Sequence, residues 1–306
     1  MADEKNINIV LAGQGNAGKS VVFNYLTGLH QHIGNWAGKT IEKKEGTLYY
    51  KGYTIDILDL PGIYSLATYS EEEVISREYI VHQKPEFVIN IVDAVNLERN
   101  LIFTLQLLEL ECPVILVLNM MDLARKKGIS IDTDALGNLL NTPVVPAVAL
   151  RGSGITSIID KVIELKDKEK SYNPPRYGRE IEKCISILAV YLKDSGLPYP
   201  PRWMAIKLLE KDRDIVKLVG DYSSKIIAAA EKMGSELEEI HGHDSSIVIS
   251  DERSHLAAQI TRSIVEISPG QKPSLNERLD FITTHKLYGY LVMIGIMGGM
   301  FLTVFG

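Results

Sequence analysis

The sequence predicts three parts in series: a doubly wound α/β domain with a mostly parallel sheet, a small all-α domain, and the start of a transmembrane helix. Three observations predict this. Near-continuous aliphatic runs alternate with helical patterns through residues 1–165, as parallel strands covered on both faces require. From Glu180 to about Ser268 helical periodicity dominates and strand signal is slight. The last stretch, LYGYLVMIGIMGGMFLTVFG from Leu287 to Gly306, is twenty residues without a charge, long enough for a spanning helix.

INIVLAG at 7–13 reads as the first strand, with a helix over 18–27 behind it. GTLYYKGYTIDILDLPG adds a hairpin with Lys51-Gly52 as its turn. FVINIVDA (87–94), VILVLNM (114–120) and VVPAV (144–148) read as further buried strands, and helices are expected over 97–110 and 154–168. KEKSYNPPRYGRE breaks the pattern with polar residues, prolines and a glycine. It places a linker at 169–178 between a first domain of 1–168 and a helical domain of 179–270. SPGQKPS is a second break. Ser274 then opens SLNE, a capping box with Glu277 at its third helical position. Residues 274–306 are therefore expected to form a juxtamembrane helix running into a first, truncated transmembrane helix. Lys272, Arg278, His285 and Lys286 precede that run and no basic residue follows it, which puts the N-terminal domains in the cytoplasm and the chain at the cell membrane. One helix cannot form a path across a membrane. The chain then reads as a piece of a longer protein, or as a partner of another chain that supplies the remaining spans.

Charged residues make up 24% and hydrophobic ones 45% of the 306 residues, an ordinary globular balance with length enough for two soluble cores. The formal net charge of -6 argues against a nucleic-acid partner, since polyanion binding needs a basic surface. Cys112 and Cys184 lack metal-type spacing and read as reduced core thiols. MADEKNINIV lacks the basic and apolar regions of a signal peptide.

GQGNAGKS, Gly13 to Ser20, follows the first strand and opens the first helix. Its glycines let the backbone curl so that successive amides point at phosphate oxygens, and the helix N-terminus adds its positive end. Gly13, Gln14, Gly15, Asn16, Ala17, Gly18 and the following Val21 then surround phosphate, Lys19 reaches the β- and γ-phosphates, and the Ser20 hydroxyl ligates Mg²⁺. Asp59 ends a strand in DLPG, where its carboxylate can hold a water on Mg²⁺. Leu60 and Pro61 lead from it to Gly62, whose N–H can meet a γ-phosphate. Alone, DLPG is a common turn. Thr40, preceded by Gly38 and Lys39 in an expected loop between helix and strand, offers Mg²⁺ a second hydroxyl.

NMMD, Asn119 to Asp122 with Met120 between them, follows a strand at the ligand-binding edge of the sheet. Asp122 there can accept from the N1–H and N2–H₂ of guanine, a donor pair adenine lacks. ALRG offers a backbone N–H to the guanine oxygen and adds Ala149, Leu150 and Arg151. Five elements in the right order, each at a strand end, read as an α/β P-loop GTPase with GTP as substrate. An ATP-driven module stays open at this point, because Met120 replaces the usual lysine.

These residues resemble the bacterial and archaeal ferrous iron transport protein B family. Its signatures are a GNPNxGKT-like loop, VGNWxGxTVE, DLPGxYSL, NMxD and a short last loop. Here they stand as GQGNAGKS, IGNWAGKTIE, DLPGIYSL, NMMD and VALRG. The likeness continues more weakly through SDERSHLAAQI and returns in NERLDFITTHKLYGY. It implies a cytosolic G domain, a helical spacer domain and a polytopic membrane domain that moves Fe²⁺. It also implies that Asn16 helps bind an activating K⁺ near the phosphates, beside Lys19, Thr40 and Gly62 as the catalytic set. Ile63 rather than glutamine follows Gly62, and neither the phosphate loop nor the segment around Thr40 has an arginine. Backbone groups and a cation must then stabilise the transition state.

Three departures from the family pattern are expected to matter. Gly15 in place of proline loosens the loop, Met120 weakens base affinity, and Ala149 in place of serine removes a hydroxyl contact. The implied partners are GTP and GDP, membrane lipid at the C-terminal helix, and the remaining membrane domain, with a homo-oligomer left open. The competing reading is a soluble K⁺-dependent GTPase switch with no transport role. His30 and His32 in LHQHIGNW, and His241 and His243 in HGH, read as solvated loop residues before they read as iron ligands. Trp36 reads as a loop anchor, and SEEEV as a charged helix start that complements the dipole.

Overall fold

The computed structural model describes residues 5–268 apart from 29, 37, 67–69 and 169–171, together with Met300. The expected helix over 274–306 lies outside the described residues, and among those described no helix is long and apolar enough to cross a membrane.

At the centre of the sheet is β1 (Lys5–Gly13), flanked by β4 (Tyr53–Asp59) and β5 (Phe87–Asp93), with β6 (Val114–Asn119) and β8 (Val144–Pro146) beyond β5. All these neighbours run parallel. Both faces of β1 are apolar because both are covered. Ile7, Ile9 and Leu11 pack with α1 (Lys19–Thr27) and α6 (Ile155–Leu165). Val10 and Ala12 pack on the opposite side with α2 (Glu71–Gln83) and α3 (Leu97–Glu109). Between β6 and β8 lie α4 (Met121–Lys126), the short strand β7 (Ile129–Ile131) and α5 (Thr133–Leu140).

On the other edge β3 (Glu42–Tyr50) pairs antiparallel with β4. Lys51 and Gly52 turn the chain with φ of 48° and 78°, the double positive pair that a two-residue hairpin demands. β2 (Gln31–Asn35) then pairs antiparallel with β3. This strand corrects two expectations. His32 lies in β2 opposite Glu45 rather than in a polar loop, and Thr40 sits between two strands rather than between helix and strand. QHIGN has only Ile33 as a large apolar residue, so the period of two is invisible and the backbone of β3 organises the segment.

Behind α2 and α3 stands a layer of helices: α7 (Arg179–Leu192), α8 (Pro201–Leu209), α9 (Arg213–Tyr222), α10 (Ser224–His241) and α11 (Ser245–Ile264). Ile181, Leu188 and fully buried Trp203 belong to the same apolar cluster as Val10, Leu58, Ile80 and Phe103, so the layer shares a core with the sheet. A short strand that helical periodicity did not show, β9 (Val265–Ile267), ends this part and pairs antiparallel with β7. Ser268 N–H to Gly128 O (2.9 Å) and Asp132 N–H to Ile264 O (3.0 Å) extend that ladder at both ends. Ser70 caps α2 by accepting from the Glu73 N–H, with Glu71, Glu72 and Glu73 in the first turn, as SEEEV announced. Cys112 and Cys184 are free and buried; burial pushes the Cys112 thiol up to about 12, and its Sγ–H donates to Leu107 O.

A buried ionic cluster stitches the seam. Arg253 of α11 donates through Nε and Nη2 to both oxygens of Glu109 in α3, at 2.8 and 3.1 Å, and reaches Glu210 at 2.8 Å. Tyr177 donates its hydroxyl to Glu109, and Lys207 donates to Glu210 at 2.6 Å. Burial alone pushes Glu210 up, but Arg253 and Lys207 beside it hold it at about 2, below its ordinary 4.5. Arg253→Ala leaves Glu109 buried without its cation and is expected to lower unfolding stability by roughly 3–5 kcal/mol, read by urea denaturation. The Glu210 contribution is full above pH 4.5 and is lost as pH falls toward 2, so the acid limb of stability should flatten in Glu210→Gln.

Candidate nucleotide site

The loop after β1 is built by local sterics. At Gly13 an added Cβ would stand 2.5 Å from Ile91 O, so β1 can meet β5 only through glycine here. Asn16 is left-handed at φ 67°, which asparagine tolerates. Gly18, at φ 92°, is the N-cap of α1, and a Cβ there would stand 2.2 Å from Asn119 Nδ2. The curl therefore needs glycine twice over at Gly18, once for backbone and once for a neighbour.

That neighbour joins the motifs. The Asn119 side chain is buried at the end of β6; its Nδ2 donates to Ala17 O at 2.9 Å, and its Oδ1 accepts from Ala149 N–H at 2.9 Å. The phosphate loop, NMMD and ALRG are thus held to one carboxamide. Met120 is left-handed at φ 63° and starts α4, which places Asp122 in the first turn with Arg151 Nη2 3.7 Å from its Oδ2.

A cavity of about 500 Å³ opens between these loops. Of the predicted residues, Gln14, Gly15, Asn16, Gly18, Lys19, Ser20, Val21, Gly62, Asn119, Met120, Asp122, Ala149 and Leu150 line it. Leu123 and Val148 also line it; sequence reasoning passed over them, although each adjoins a motif. Gly13, Ala17 and Asp59 are buried outside the lining. Leu60, Pro61 and Arg151 also stand outside it, Leu60 giving its carbonyl to Lys19 and exposed Arg151 facing Asp122. Gln14 turns its side chain away, donating to Arg99 O at 3.1 Å.

Lys19 extends to Asp59 and to Leu60 O rather than into open space. Burial raises the Asp59 carboxyl above its ordinary value, while the Lys19 charge opposes that shift. A polyphosphate entering the loop must draw the ammonium off this carboxylate. Gly62 lies against the phosphate loop, where an added Cβ would be 3.7 Å from Gly15 Cα. Ile63 is buried, so no side chain at that position reaches the cavity to orient water. Gly15 carries more than looseness: a Cβ on it would stand 3.1 Å from the Tyr64 hydroxyl, whose ring in turn carries the Arg99 guanidinium at 5.2 Å.

The structure does not bring Gly38, Lys39 and Thr40 to this cavity. All three are exposed in the turn between β2 and β3. Lys39 Nζ pairs with Glu71 Oε1 at 3.1 Å, and the backbone N–H of Trp36 donates to Ile41 O. The half-buried Trp36 ring meets Tyr79 edge-on at 5.6 Å, which makes it an anchor for this segment. Among the described residues no group of three or more His, Cys, Asp or Glu side chains has an arrangement that could hold a metal ion.

Sheet order, phosphate loop and the clustered loops at the strand ends define the P-loop G-domain class with a helical domain attached. Comparison with known proteins narrows this. The family model described as ferrous iron transport protein B matches residues 7–162, and that for the FeoB cytosolic helical domain matches residues 177–266. The chain is 37% identical to an Fe(2+) transport protein A/Fe(2+) transporter FeoB fusion protein of Porphyromonas gingivalis, over 98% of this chain and 37% of that one. It is 35% identical to the Fe(2+) transporter FeoB of Escherichia coli (strain K12), over 97% of this chain and 38% of that one. The chain thus spans well under half the length of these curated relatives. Among solved structures, a GDP-bound variant of the S. thermophilus FeoB G-domain superposes with a TM-score of 0.80 at 34% identity, covering 85% of this chain and 100% of that one. The T. maritima FeoB cytosolic domain in a GMPPNP form gives 0.74 at 32%, covering 85% and 99%. The chain belongs to the ferrous iron transport protein B family.

Because Asn119 holds both neighbouring loops, Asn119→Ala removes two buried hydrogen bonds and leaves Ala149 N–H unpaired. A stability loss of about 1–3 kcal/mol is expected, with guanine nucleotide affinity lowered at least about tenfold. Chemical denaturation and fluorescent-nucleotide titration check the two effects.

Proposed function

We propose that this chain is the GTP-hydrolysing module of a ferrous iron transporter, with the G domain at 1–168 and the helical domain at 179–270 on the cytoplasmic side of the cell membrane. The observation that carries the GTPase reading is the Asn119 bridge, which gathers phosphate loop and base-reading loops around one cavity. Family membership supports the transport role, as do relatives named Fe(2+) transporters. In this reading the iron path belongs to the part of the Fe(2+) transporter relatives that this chain does not span.

Guanine is read by Asp122 through the base's two N–H donors. Its oxygen is met by a backbone amide of the last loop. Ala149 N–H is committed to Asn119, so that amide belongs to Leu150. Ser20 at the cavity and Asp59 behind Lys19 fit a Mg²⁺ site, with Asp59 acting through a water. Asn16, exposed at the cavity, fits a K⁺ site. Bound there, these ions supply positive charge to the phosphate oxygens. In hydrolysis water attacks the γ-phosphorus, the bond to the β-phosphate oxygen breaks, and GDP and phosphate leave. Lys19 neutralises the β- and γ-phosphates once it leaves Asp59, and the Gly62 N–H faces the γ-phosphate. Thr40 joins only when the segment between β2 and β3 folds over the nucleotide.

Nucleotide titration and turnover test this reading. Lys19→Ala and Ser20→Ala should abolish Mg²⁺-dependent hydrolysis. Thr40→Ala should impair it while GDP binding persists; equal loss of GDP and GTP would exclude closure around the γ-phosphate. Asp122→Asn should cost GTP about 1–3 kcal/mol of binding and shift preference toward xanthine nucleotides. At constant ionic strength KCl should accelerate turnover relative to NaCl, and Asn16→Ala should lose that acceleration with affinity kept. Equal rates in the two salts would remove K⁺ from the site while leaving the GTPase intact.

A further inference from the structure

Tyr25 stands on the outer face of α1, and the chemistry above makes no use of it. Tyr25 is 58% exposed, yet the end of its side chain lies against the backbone of the last loop. A Cβ added to Gly152 would stand 2.0 Å from the Tyr25 hydroxyl oxygen and 2.3 Å from Cζ. Gly152 is also left-handed at φ 68°, so the ring and the backbone each demand glycine there.

What the ring touches is the turn that addresses the base. Within it Ala149 N–H goes to Asn119 Oδ1 at 2.9 Å, Arg151 N–H to Val148 O at 2.9 Å and Gly152 N–H to Ala149 O at 3.0 Å. That accounting leaves the Leu150 amide, at the rim of the cavity, as the donor for a purine oxygen. Leu150 is 83% exposed, so packing of its own side chain does little to fix the turn. The turn is held at its ends. Asn119 holds Ala149 from inside, and Tyr25 holds Gly152 from outside. A tyrosine suits this task, since a flat ring with two torsions gives rigid contact at small entropic cost.

We propose that Tyr25 is a specificity-positioning residue, whose ring holds the 149–152 turn so that the Leu150 N–H meets the 6-oxygen of guanine. The proposal rests on the guanine-nucleotide reading above. One helix then serves both ends of the ligand: α1 meets phosphate at Lys19 and Ser20, and fixes the base-reading turn through Tyr25. Loss of the ring should therefore act on the purine 6-position and not on the phosphates.

The test is equilibrium binding of GDP and of 2-aminopurine riboside diphosphate, which lacks the 6-oxygen and the N1–H, to the unaltered chain, Tyr25→Ala and Tyr25→Phe, the effect of Tyr25 being read as the change in the ratio of the two affinities. Tyr25→Ala should weaken GDP about tenfold, one hydrogen bond's worth, and change the 2-aminopurine nucleotide less than about twofold. Tyr25→Phe keeps the ring on Gly152 and should restore the discrimination. Hydrogen exchange should quicken at amides 149–153 in Tyr25→Ala and stay constant at 16–22. An unchanged ratio of the two affinities, or equal weakening of both, overturns the proposal, as does unchanged exchange in the turn. Failure of the unaltered chain to bind either nucleotide would instead overturn the nucleotide reading, and this proposal with it.

Discussion

The carboxamide of Asn119 is the interaction on which the site depends. It lies at the end of β6, buried, with its donor on the Ala17 carbonyl and its acceptor on the Ala149 amide. Three loops from distant parts of the chain meet there, and two of them would otherwise leave a backbone group, Ala17 O and Ala149 N–H, without this partner. The glycine at Gly18 exists partly to make room for it, since a Cβ would collide with Nδ2. A ligand spanning the cavity from phosphate to base therefore meets a frame set before it arrives, which lowers the ordering cost of binding.

Around this frame the side chains and segments next to the cavity are held by ordinary contacts. Lys19 rests on Asp59, the segment carrying Thr40 is fastened to α2 through Lys39 and Glu71, and Tyr64 lies over Gly15. α2 itself reaches into the helical layer. Arg77 is 1% exposed, pairs with Asp214 at 3.1 Å and stands over the rings of Tyr199 and Trp203. The helical layer returns to the G domain at α3 through Arg253 and at β7 through β9. The strand β9 thus joins the chain just downstream of NMMD to the end of the helical layer. These contacts, with the shared apolar cluster, join the helical layer to the sheet and its helices.

Much of the site was legible because its signals are local. Eight residues after an apolar run specify a phosphate loop by glycine placement alone, and NMMD and ALRG follow strands whose aliphatic composition is plain. The Lys51-Gly52 turn and the acidic start of α2 were legible for the same reason. β2 was not, because a single isoleucine in QHIGN gives no period, and β9 was hidden at the end of a long helical pattern. The role of Asn119 was half legible. Its place at the strand end beside the cavity followed from NMMD, but its service to Ala17 and Ala149 is a contact across 102 and 30 residues.

By itself the sequence determined the order of the strands' chemistry, the residue types offered to phosphate and base, the absence of a glutamine after Gly62, and the family. Each of these is set by neighbours along the chain, through steric and hydrogen-bonding rules that act within a few residues. Only the tertiary structure decided where Thr40 stands, that Ile63 turns into the core, that Lys19 pairs with Asp59, and that Tyr25 lies on Gly152. Those are meetings between segments brought together by packing of the sheet and its helices. No spacing in a linear chain encodes which of several exposed tyrosines will come to rest on a given glycine.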